Sequence, residues 1–242
     1  MHLKTLLSKN ALEYLCMSIY TDLAWSKIPY LNYKFDYYAG LLLENLLKSM
    51  PNAIPTRRVF GMFKFKREAL IVMPGESILK GIYSPLCTYG EESLIISTDS
   101  AIKLCLKLLR RKPDVIVSDL DGDVELMVKL SNESKCLTVV HAHGDNIEKL
   151  RSIVPKLKGP IVGTSQAFQG KYVLQSHGFT DGDRAIYLCK VIGISKVILL
   201  GADFERPSKL TGKCVSNVKQ IKLDLAKLFT QWFSKDLLII AI

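Results

Sequence analysis

The sequence of 242 residues lacks the short motifs that mark several common enzyme classes. It contains no GxxxxGK[ST] loop and no GxGxxG turn, so neither a P-loop nor a dinucleotide-binding fingerprint is available to hold phosphate. It contains no GxSxG segment either, which leaves a nucleophilic serine at a strand-to-helix turn without support. Phosphate chemistry in this chain would have to use other side chains.

Long apolar runs and closely spaced cysteines are also missing. The longest apolar runs include residues 197–200 and 237–242, far short of the roughly 20 residues that a membrane-spanning helix needs. Residues 1–10 hold too brief an apolar stretch for a secretory signal. The six cysteines include no CxxC pair, which favours buried free thiols over disulfides or zinc. We therefore expect a soluble, cytoplasmic protein that does not contact a membrane.

Positive charge and apolar residues are both abundant. The net charge is +10, and 48% of the residues are hydrophobic, which is enough for a large core. The basic residues are mostly dispersed, with dense groups only at 57–67 and 110–112. Excess surface lysine or a basic rim that attracts ATP explains them. Nucleic-acid binding stays an alternative, disfavoured because acidic loops would repel a phosphate backbone.

The apolar pattern divides the chain into two parts. Residues 1–65 predict a small, mostly helical N-terminal region, with a clear amphipathic helix at 36–47 beside an aromatic cluster. Residues 66–242 predict an α/β catalytic domain with a mainly parallel sheet and helices on both faces. Strands are predicted at 69–73, 94–97, 115–118, 137–140, 161–163 and 197–200, and helices at 101–111, 124–132, 147–154, 183–192 and 218–233.

Three loops that combine aspartate with glycine stand out, at residues 119–123, 141–146 and 178–183. The first two directly follow predicted strands, and parallel sheets bind ligands at the carboxyl ends of their strands. Two carboxylates about 5 Å apart repel by roughly 3 kcal/mol at an effective dielectric near 20. If the loops converge, a cation must offset this repulsion, and Mg²⁺ is the expected one.

The first loop alternates its acidic residues, so Asp119 and Asp121 can point the same way while Gly122 lets the backbone bend around a ligand. Mg²⁺ usually takes one or two carboxylates together with phosphate oxygens, which fits this pattern. A Ca²⁺-binding EF-hand does not fit, because its twelfth position would be Leu130 instead of glutamate.

The second and third loops offer several further contacts. His141 and His143 suit phosphate or substrate contact, zinc binding together with His177, or structural hydrogen bonding. Helix caps are expected at Asp145 and Asp183. Further polar candidates are Arg184, which would pair with an acidic residue or phosphate, Thr164, Ser165 and Gln166 between the loops, and Asp99 and Asp203 after their strands.

The order of these segments resembles the archaeal 6-hydroxymethyl-7,8-dihydropterin pyrophosphokinases, a family distantly similar to the thiamine pyrophosphokinases. The matching segments span most of the chain and comprise residues 35–40, 117–122, 140–146, 163–166, 178–185 and 201–204. The resemblance implies Mg²⁺-dependent transfer of diphosphate from ATP to the hydroxymethyl group of a pterin, with release of AMP. It places the reaction in tetrahydromethanopterin or folate-type pterin biosynthesis.

The resemblance also assigns roles to individual residues. Asp119 and Asp121 would hold Mg²⁺, Asp145 would add a metal contact or orient the hydroxyl, and Arg184 would offset negative charge. The residues expected to contact ATP are Asp99, His141, His143, Gly144, Asn146, Thr164, Ser165, Gln166, Thr180 and Asp183. A thiamine-type acceptor and a homo-oligomeric state are left open.

Overall fold

A single parallel sheet forms the centre of the computed structural model, which describes residues 32–134, 136–211 and 217–242 and the single positions 22 and 26. Its strands are β1 (Glu68–Val72), β2 (Leu94–Thr98), β3 (Val115–Ser118), β4 (Leu137–Ala142), β5 (Ile161–Ser165), β6 (Val173–Gln175), β7 (Lys196–Leu200) and β8 (Leu238–Ala241). They pair in the order β6-β5-β4-β3-β2-β1-β7-β8, and every pair is parallel. The predicted α/β fold with a mainly parallel sheet is confirmed.

Eight α-helices connect or flank these strands in the part of the chain that is described. They are α1 (Tyr33–Lys48), α2 (Thr56–Met62), α3 (Ile78–Gly81), α4 (Ile102–Leu104), α5 (Val124–Ser134), α6 (Ile147–Ile153), α7 (Asp181–Val191) and α8 (Asn217–Phe233). Short 3₁₀ turns at Asp99–Ala101, Gly144–Asn146, Val154–Lys156 and Lys209–Thr211 complete the helical segments. None of the helices described is long and apolar enough to cross a membrane.

The central strands are apolar on both sides because helices cover both faces of the sheet. On one face, Phe229 and Phe233 of α8 and Ile186 of α7 share a core with Ile71 and Val117. The opposite face has two apolar clusters. Their helical members include Leu43, Leu47, Met127 and Leu150 in one, and Ile78, Cys105 and Leu109 in the other. Helices on both faces of the sheet were predicted, and this prediction is confirmed.

The predicted amphipathic helix of the N-terminal region is confirmed as α1. Its N-terminal cap is Asn32, whose side chain accepts a hydrogen bond from the backbone N–H of Lys34 at 2.9 Å. Leu43 and Leu47 are fully buried against the sheet, whereas Phe35 is exposed. The apolar positions expected to be helical between Leu12 and Leu23, and Tyr30 of the aromatic cluster, lie outside the described residues.

Several elements depart from the predicted ones, both at the edges of the sheet and in the segment after β2. Strand β6 was not predicted, and β8 was predicted only as a closing apolar run, because edge strands carry short or half-exposed patterns. The helix expected at 101–111 is instead α4 followed by a π-helical turn at Cys105–Leu109. It ends at Arg110 with a left-handed φ of 52°, after which Arg111 bonds to Gly90 and Asp114.

Parallel pairing brings all the strand carboxyl ends to one edge of the sheet. The connection after β1 leads to β2 on one side, whereas β7 lies on the other side of β1. The boundary between β1 and β7 is therefore a topological switch point, where open α/β sheets form a ligand-binding crevice. The three acidic loops and the turns after β1 and β7 share this edge of the sheet.

Candidate active site

The backbone between Asp119 and Asp121 turns sharply at the end of β3. Leu120 has a left-handed φ of 67°, which is uncommon outside glycine and costs free energy. Its side chain is buried in the core, and its N–H donates to Oγ of Ser118 at 2.8 Å. These contacts hold the turn, so the two aspartates are positioned by the core itself.

Asp99 reaches the same place from the end of β2. Its Oδ2 accepts hydrogen bonds from Oγ of Ser118 at 2.8 Å and from the N–H of Gly122 at 3.0 Å. A Cβ at position 122 would lie 2.6 Å from the Asp99 carboxyl group, so only glycine lets the backbone approach this closely. The sequence predicted that Gly122 lets the backbone bend around a ligand, whereas the group that Gly122 approaches in the structure is Asp99.

Asp99, Asp119 and Asp121 together form a group that we call the acidic triad. One carboxylate oxygen from each lies within 4.8 Å of the others, and their exposure increases from the buried Asp99 to the exposed Asp121. Oδ1 of Asp119 is buried and has no hydrogen-bond partner among the described residues. A buried carboxylate oxygen without a donor, beside two more carboxylates, fits a hard cation such as Mg²⁺.

Two nitrogen-bearing side chains flank Asp119. Its Oδ2 lies 3.7 Å from Nε2 of His143 and 3.8 Å from Nη1 of Arg184. Burial alone would raise the pKa of Asp119, but the contact with His143 and the charge of Arg184 outweigh it. The pKa therefore lies well below its ordinary value, and Asp119 is held as a carboxylate, the form that binds a metal.

Arg184 of α7 is buried and joins the triad to a fourth carboxyl group. Its guanidinium donates to Oδ1 of Asp181 at 3.0 Å and to the carbonyl oxygen of Gly178 at 3.2 Å. Burial and the nearby charges of Asp99 and Asp119 raise the pKa of Asp181 well above its ordinary value, against the effect of Arg184. Asp181 is thus the carboxyl group of the site that most readily keeps a proton. The sequence prediction did not single it out, although it lies in the third acidic loop.

The histidines of the second loop have different environments. His141 is fully buried, its Nδ1 is paired with Oγ1 of Thr164 at 3.0 Å, and its Nε2 has no partner among the described residues. Burial, followed by the charge of Arg184, lowers its pKa well below the ordinary value, so the ring is neutral. Among the residues described, His141, His143 and His177 form no metal-binding group, which leaves the zinc hypothesis unsupported.

Asn146 and Gly144 connect the second loop to its surroundings. The side-chain amide of Asn146 donates to the carbonyl oxygens of Asp119 at 2.9 Å and His141 at 2.7 Å. The N–H of Gly144 donates to Oδ1 of the buried Asp36 at 2.8 Å. These bonds link the loop both to the triad and to α1, so its shape is fixed from two sides.

The predicted helix caps at Asp145 and Asp183 are both wrong by a few residues. His143 caps the turn before α6, because its Nδ1 accepts from the N–H of Asp145 at 3.3 Å. Thr180 caps α7, and the buried Asp183 closes a reciprocal capping box three residues later. Asp183 accepts N–H bonds from Phe179 and Thr180 at 3.0 and 2.7 Å, so its carboxylate is engaged by the backbone.

The polar residues at the end of β5 are buried beneath the third loop. Oγ of Ser165 accepts from the N–H of Ala167 at 3.3 Å, and Nε2 of Gln166 donates to the carbonyl oxygen of Gly178 at 2.9 Å. Oε1 of Gln166 has no partner in the described part of the chain. Thr164 pairs with His141 of the second loop, whereas Gln166 contacts the third loop through Gly178.

A cavity of about 250 Å³, which we call the switch-point cavity, extends from the triad to the turns after β1 and β7. Asp119, Asp121 and Asp181 line one part of it. Its other lining residues include apolar and cationic side chains, namely Met73, Phe179, Phe204, Lys219, Lys222 and Leu223. Predicted residue Asp203 also lines the cavity, and its Oδ2 accepts from the N–H of Ser77 at 3.1 Å.

A second and more open cavity of about 650 Å³, the outer cavity, lies beside the first. It is lined by Asp99, Lys103, Asp123 and Glu125 among others, and Lys103 pairs with Asp123 at 2.7 Å. Ser100 and Asp121 line both cavities. Asp145, a predicted metal contact, is exposed and lies outside the triad, with its Oδ2 4.0 Å from Nδ1 of His143.

Comparison with known proteins supplies an independent finding. A family model described as 6-hydroxymethylpterin diphosphokinase MptE-like matches residues 42–209. A protein named 6-hydroxymethyl-7,8-dihydropterin pyrophosphokinase from Methanocaldococcus jannaschii is 39% identical over 176 residues, covering 70% of this chain and 71% of that protein. Proteins of the same name are 35% identical in Methanothermobacter thermautotrophicus, covering 60% and 65%, and 43% identical in Pyrococcus furiosus, covering 42% and 41%.

Proposed function

The chain belongs to the MptE-like family of 6-hydroxymethylpterin diphosphokinases, and from this premise we propose that it is a 2-amino-4-hydroxy-6-hydroxymethyldihydropteridine diphosphokinase. In the proposed reaction, the hydroxymethyl oxygen of 6-hydroxymethyl-7,8-dihydropterin bonds to the β-phosphorus of ATP. The bond from that phosphorus to the oxygen bridging to the α-phosphorus breaks, AMP leaves, and the hydroxyl proton passes to solvent. Such transfers depend on positioning and charge neutralisation.

The acidic triad is the observation that carries this proposal. Asp99, Asp119 and Asp121 place three carboxylate oxygens within 4.8 Å of one another beside a cavity. These residues would hold Mg²⁺, which when bound neutralises phosphate oxygens during phosphoryl transfer. The predicted ligands Asp119 and Asp121 both belong to this set, and Asp99 extends it.

Other residues of the site have roles that follow from their contacts. Arg184 holds Asp119 and Asp181 by charge and so keeps the loop after β3 and the start of α7 together. We propose His143 for phosphate contact, since it adjoins Asp119, and Asp145 for orienting the acceptor hydroxyl. The residues that we retain as determinants of the ATP site, by contact or through loop shape, are His141, Gly144, Asn146, Thr164, Ser165, Gln166, Thr180 and Asp183.

The wider context of the reaction is part of the same proposal. ATP and a hydroxymethyl pterin are the substrates, and tetrahydromethanopterin or folate-type pterin biosynthesis in the cytoplasm is the setting. We also propose that residues 66–242 form the catalytic α/β domain and residues 1–65 a helical N-terminal region. Within that region, α1 packs directly on the core through Leu43 and Leu47.

The proposal is tested by incubating the protein with ATP, MgCl₂ and 6-hydroxymethyl-7,8-dihydropterin, and by measuring AMP and the pterin diphosphate by chromatography. Asp121→Asn removes one carboxylate of the triad and should reduce AMP release by at least about 100-fold, because a metal ligand is lost. Asp236→Asn is the matched control, since Asp236 is exposed and pairs with Lys190 far from the triad.

The identity of the acceptor and the role of the acidic triad are tested separately. Thiamine and other hydroxyl-bearing heterocycles replace the pterin in parallel reactions, and AMP release with thiamine alone would overturn the assigned acceptor. Undiminished turnover of Asp121→Asn would overturn the assigned role of the triad.

A further inference from the structure

Helix α8 forms one wall of the switch-point cavity. Val218, Lys219, Lys222, Leu223 and Ala226 all face it, at the three-to-four-residue spacing of one helix side. The helix is anchored behind this wall by Phe229 and Phe233, whose ring centroids lie 4.6 Å apart in the core. The wall begins after residue 209, where the segment matched by the family model ends.

Lys222 is the partly buried cation of this wall. The carboxylates that attract it are Asp119, Asp145 and Asp121, whereas Arg184 repels it. Lys222 therefore lies in a partly buried position on the cavity wall, near the carboxylates of Asp119 and Asp121, which line the same cavity. A partly desolvated ammonium is stable only beside anions.

The neighbours of Lys222 change in charge when the site is loaded. Asp119 and Asp121 are two of the three carboxylates that would hold Mg²⁺, and a bound dication offsets their negative charge. Lys222 then keeps its own charge while the attraction of these two residues is reduced. The anionic group that would lie in the same cavity, next to the metal, is the triphosphate of the nucleotide.

We propose that Lys222 binds the phosphate oxygens of the nucleoside triphosphate, and that α8 thereby forms the nucleotide side of the active site. This inference rests on the proposed function for its ligand. Lysine binds phosphate as a point charge with three rotatable donors. Its flexible side chain suits a residue on α8 that must reach phosphate oxygens in the cavity. Lys219 lines the same cavity from a more exposed position and adds positive potential at its mouth.

The test is Lys222→Met, which keeps the apolar stem and removes the charge. Binding of Mg·ATP in the absence of any acceptor is measured by isothermal titration calorimetry. The expected loss of affinity is about 10- to 100-fold, as is typical when a hydrogen bond to a charged group is removed. Lys222→Arg should restore most of the affinity, and the KM for the pterin should change little in both variants.

Lys227→Met is the matched control, because Lys227 lies on the same helix but pairs with Glu205 outside the cavity. Circular dichroism confirms that each variant is folded, and Lys222→Gln serves as a second charge-removing variant should Lys222→Met unfold. Equal affinity of wild type and the charge-removing variant for Mg·ATP overturns the inference.

The inference and the proposed function fail separately. If wild type makes the pterin diphosphate and loss of the Lys222 charge leaves Mg·ATP affinity unchanged, only the inference is overturned. If Mg·ATP binding depends on Lys222 but no acceptor releases AMP, the inference is supported and the proposed function fails. Absence of Mg·ATP binding by wild type overturns both.

Discussion

At the scale of single residues, each carboxylate of the acidic triad is held by a different neighbour. Asp99 accepts from Ser118 and Gly122, while Asp119 is flanked by His143 and Arg184. Asp121 is positioned through the left-handed Leu120. Ser118 also accepts from the N–H of Leu120, so the turn at the end of β3 supports all three carboxylates and a change in it affects them together.

Gly122→Ala is predicted to weaken Mg²⁺ binding without replacing any of the proposed metal ligands. The new Cβ would lie 2.6 Å from the Asp99 carboxyl group, which must move away or displace the loop. We expect a loss of Mg²⁺ affinity of about 10- to 100-fold, the range seen when groups that orient metal ligands are altered. The measurement is an Mg²⁺ titration of AMP release.

Gly90→Ala is the control for that experiment, since a Cβ at position 90 meets nothing within 4 Å. The same Mg²⁺ dependence in both alanine variants would contradict the role given to Gly122.

The buried histidines predict how stability depends on pH. Burial lowers the pKa of His177 to about 4, below the value near 6.5 of the unfolded chain. Between these values the unfolded state binds the proton and the folded state does not, so stability is lost as the pH falls from 6.5 towards 4. The contribution of His177 over that range is about 3 kcal/mol.

His177→Gln should therefore have a shallower decrease in the free energy of unfolding between pH 7 and pH 4.5, measured by urea denaturation. His141, also buried and with a lowered pKa, is present in both proteins, so part of the pH dependence remains. An unchanged slope in His177→Gln would refute the assignment.

Site residues were predictable from the sequence where they directly follow a strand. Asp119 and Asp121 come immediately after β3, and the sequence placed them together at the sheet edge. Asp181 and Lys222 were missed for a physical reason: their importance comes from packing. Lys222 stands between apolar residues of an amphipathic helix, and only the docking of α8 shows which of its lysines face the cavity.

At the scale of elements, the strands and helices of the core were predicted well because their apolar patterns are strong. The helix starts were less predictable, since aspartate, threonine and histidine can all cap a helix. At α7 the sequence favoured Asp183 as cap, yet Thr180 takes that position and Asp183 completes the box from inside the first turn. The π-helical turn at Cys105–Leu109 leaves no periodic signal that distinguishes it from α-helix.

At the scale of the whole molecule, the parallel sheet followed from the alternation of strands and helices, but the strand order did not. β7 pairs with β1 instead of β6, which places the switch point between β1 and β7. The pairing of β7 with β1 brings the turn after β7 to the site. This pairing joins residues that are distant in sequence, so the sequence pattern does not reveal it. The net charge of +10 likewise did not reveal that the site itself is acidic.

Mg²⁺ is predicted to stabilise the folded protein, because the triad gathers like charges that the unfolded chain keeps apart. At a concentration 100 times its Kd, the ion should raise the free energy of unfolding by about 2.7 kcal/mol. Thermal unfolding in MgCl₂ is compared with unfolding in EDTA at equal ionic strength. Asp121→Asn should lose most of the increase, and an equal increase in that variant would contradict the triad as the binding site.

Ser100 and Asp121 line both the switch-point cavity and the outer cavity, and this has a consequence for the kinetics. Ligands bound in the two cavities would both adjoin Asp121, so a donor and an acceptor could be bound at the same time. Neither has to depart before the other arrives. A ternary complex with sequential kinetics, without a phosphorylated enzyme intermediate, is the behaviour that this geometry favours.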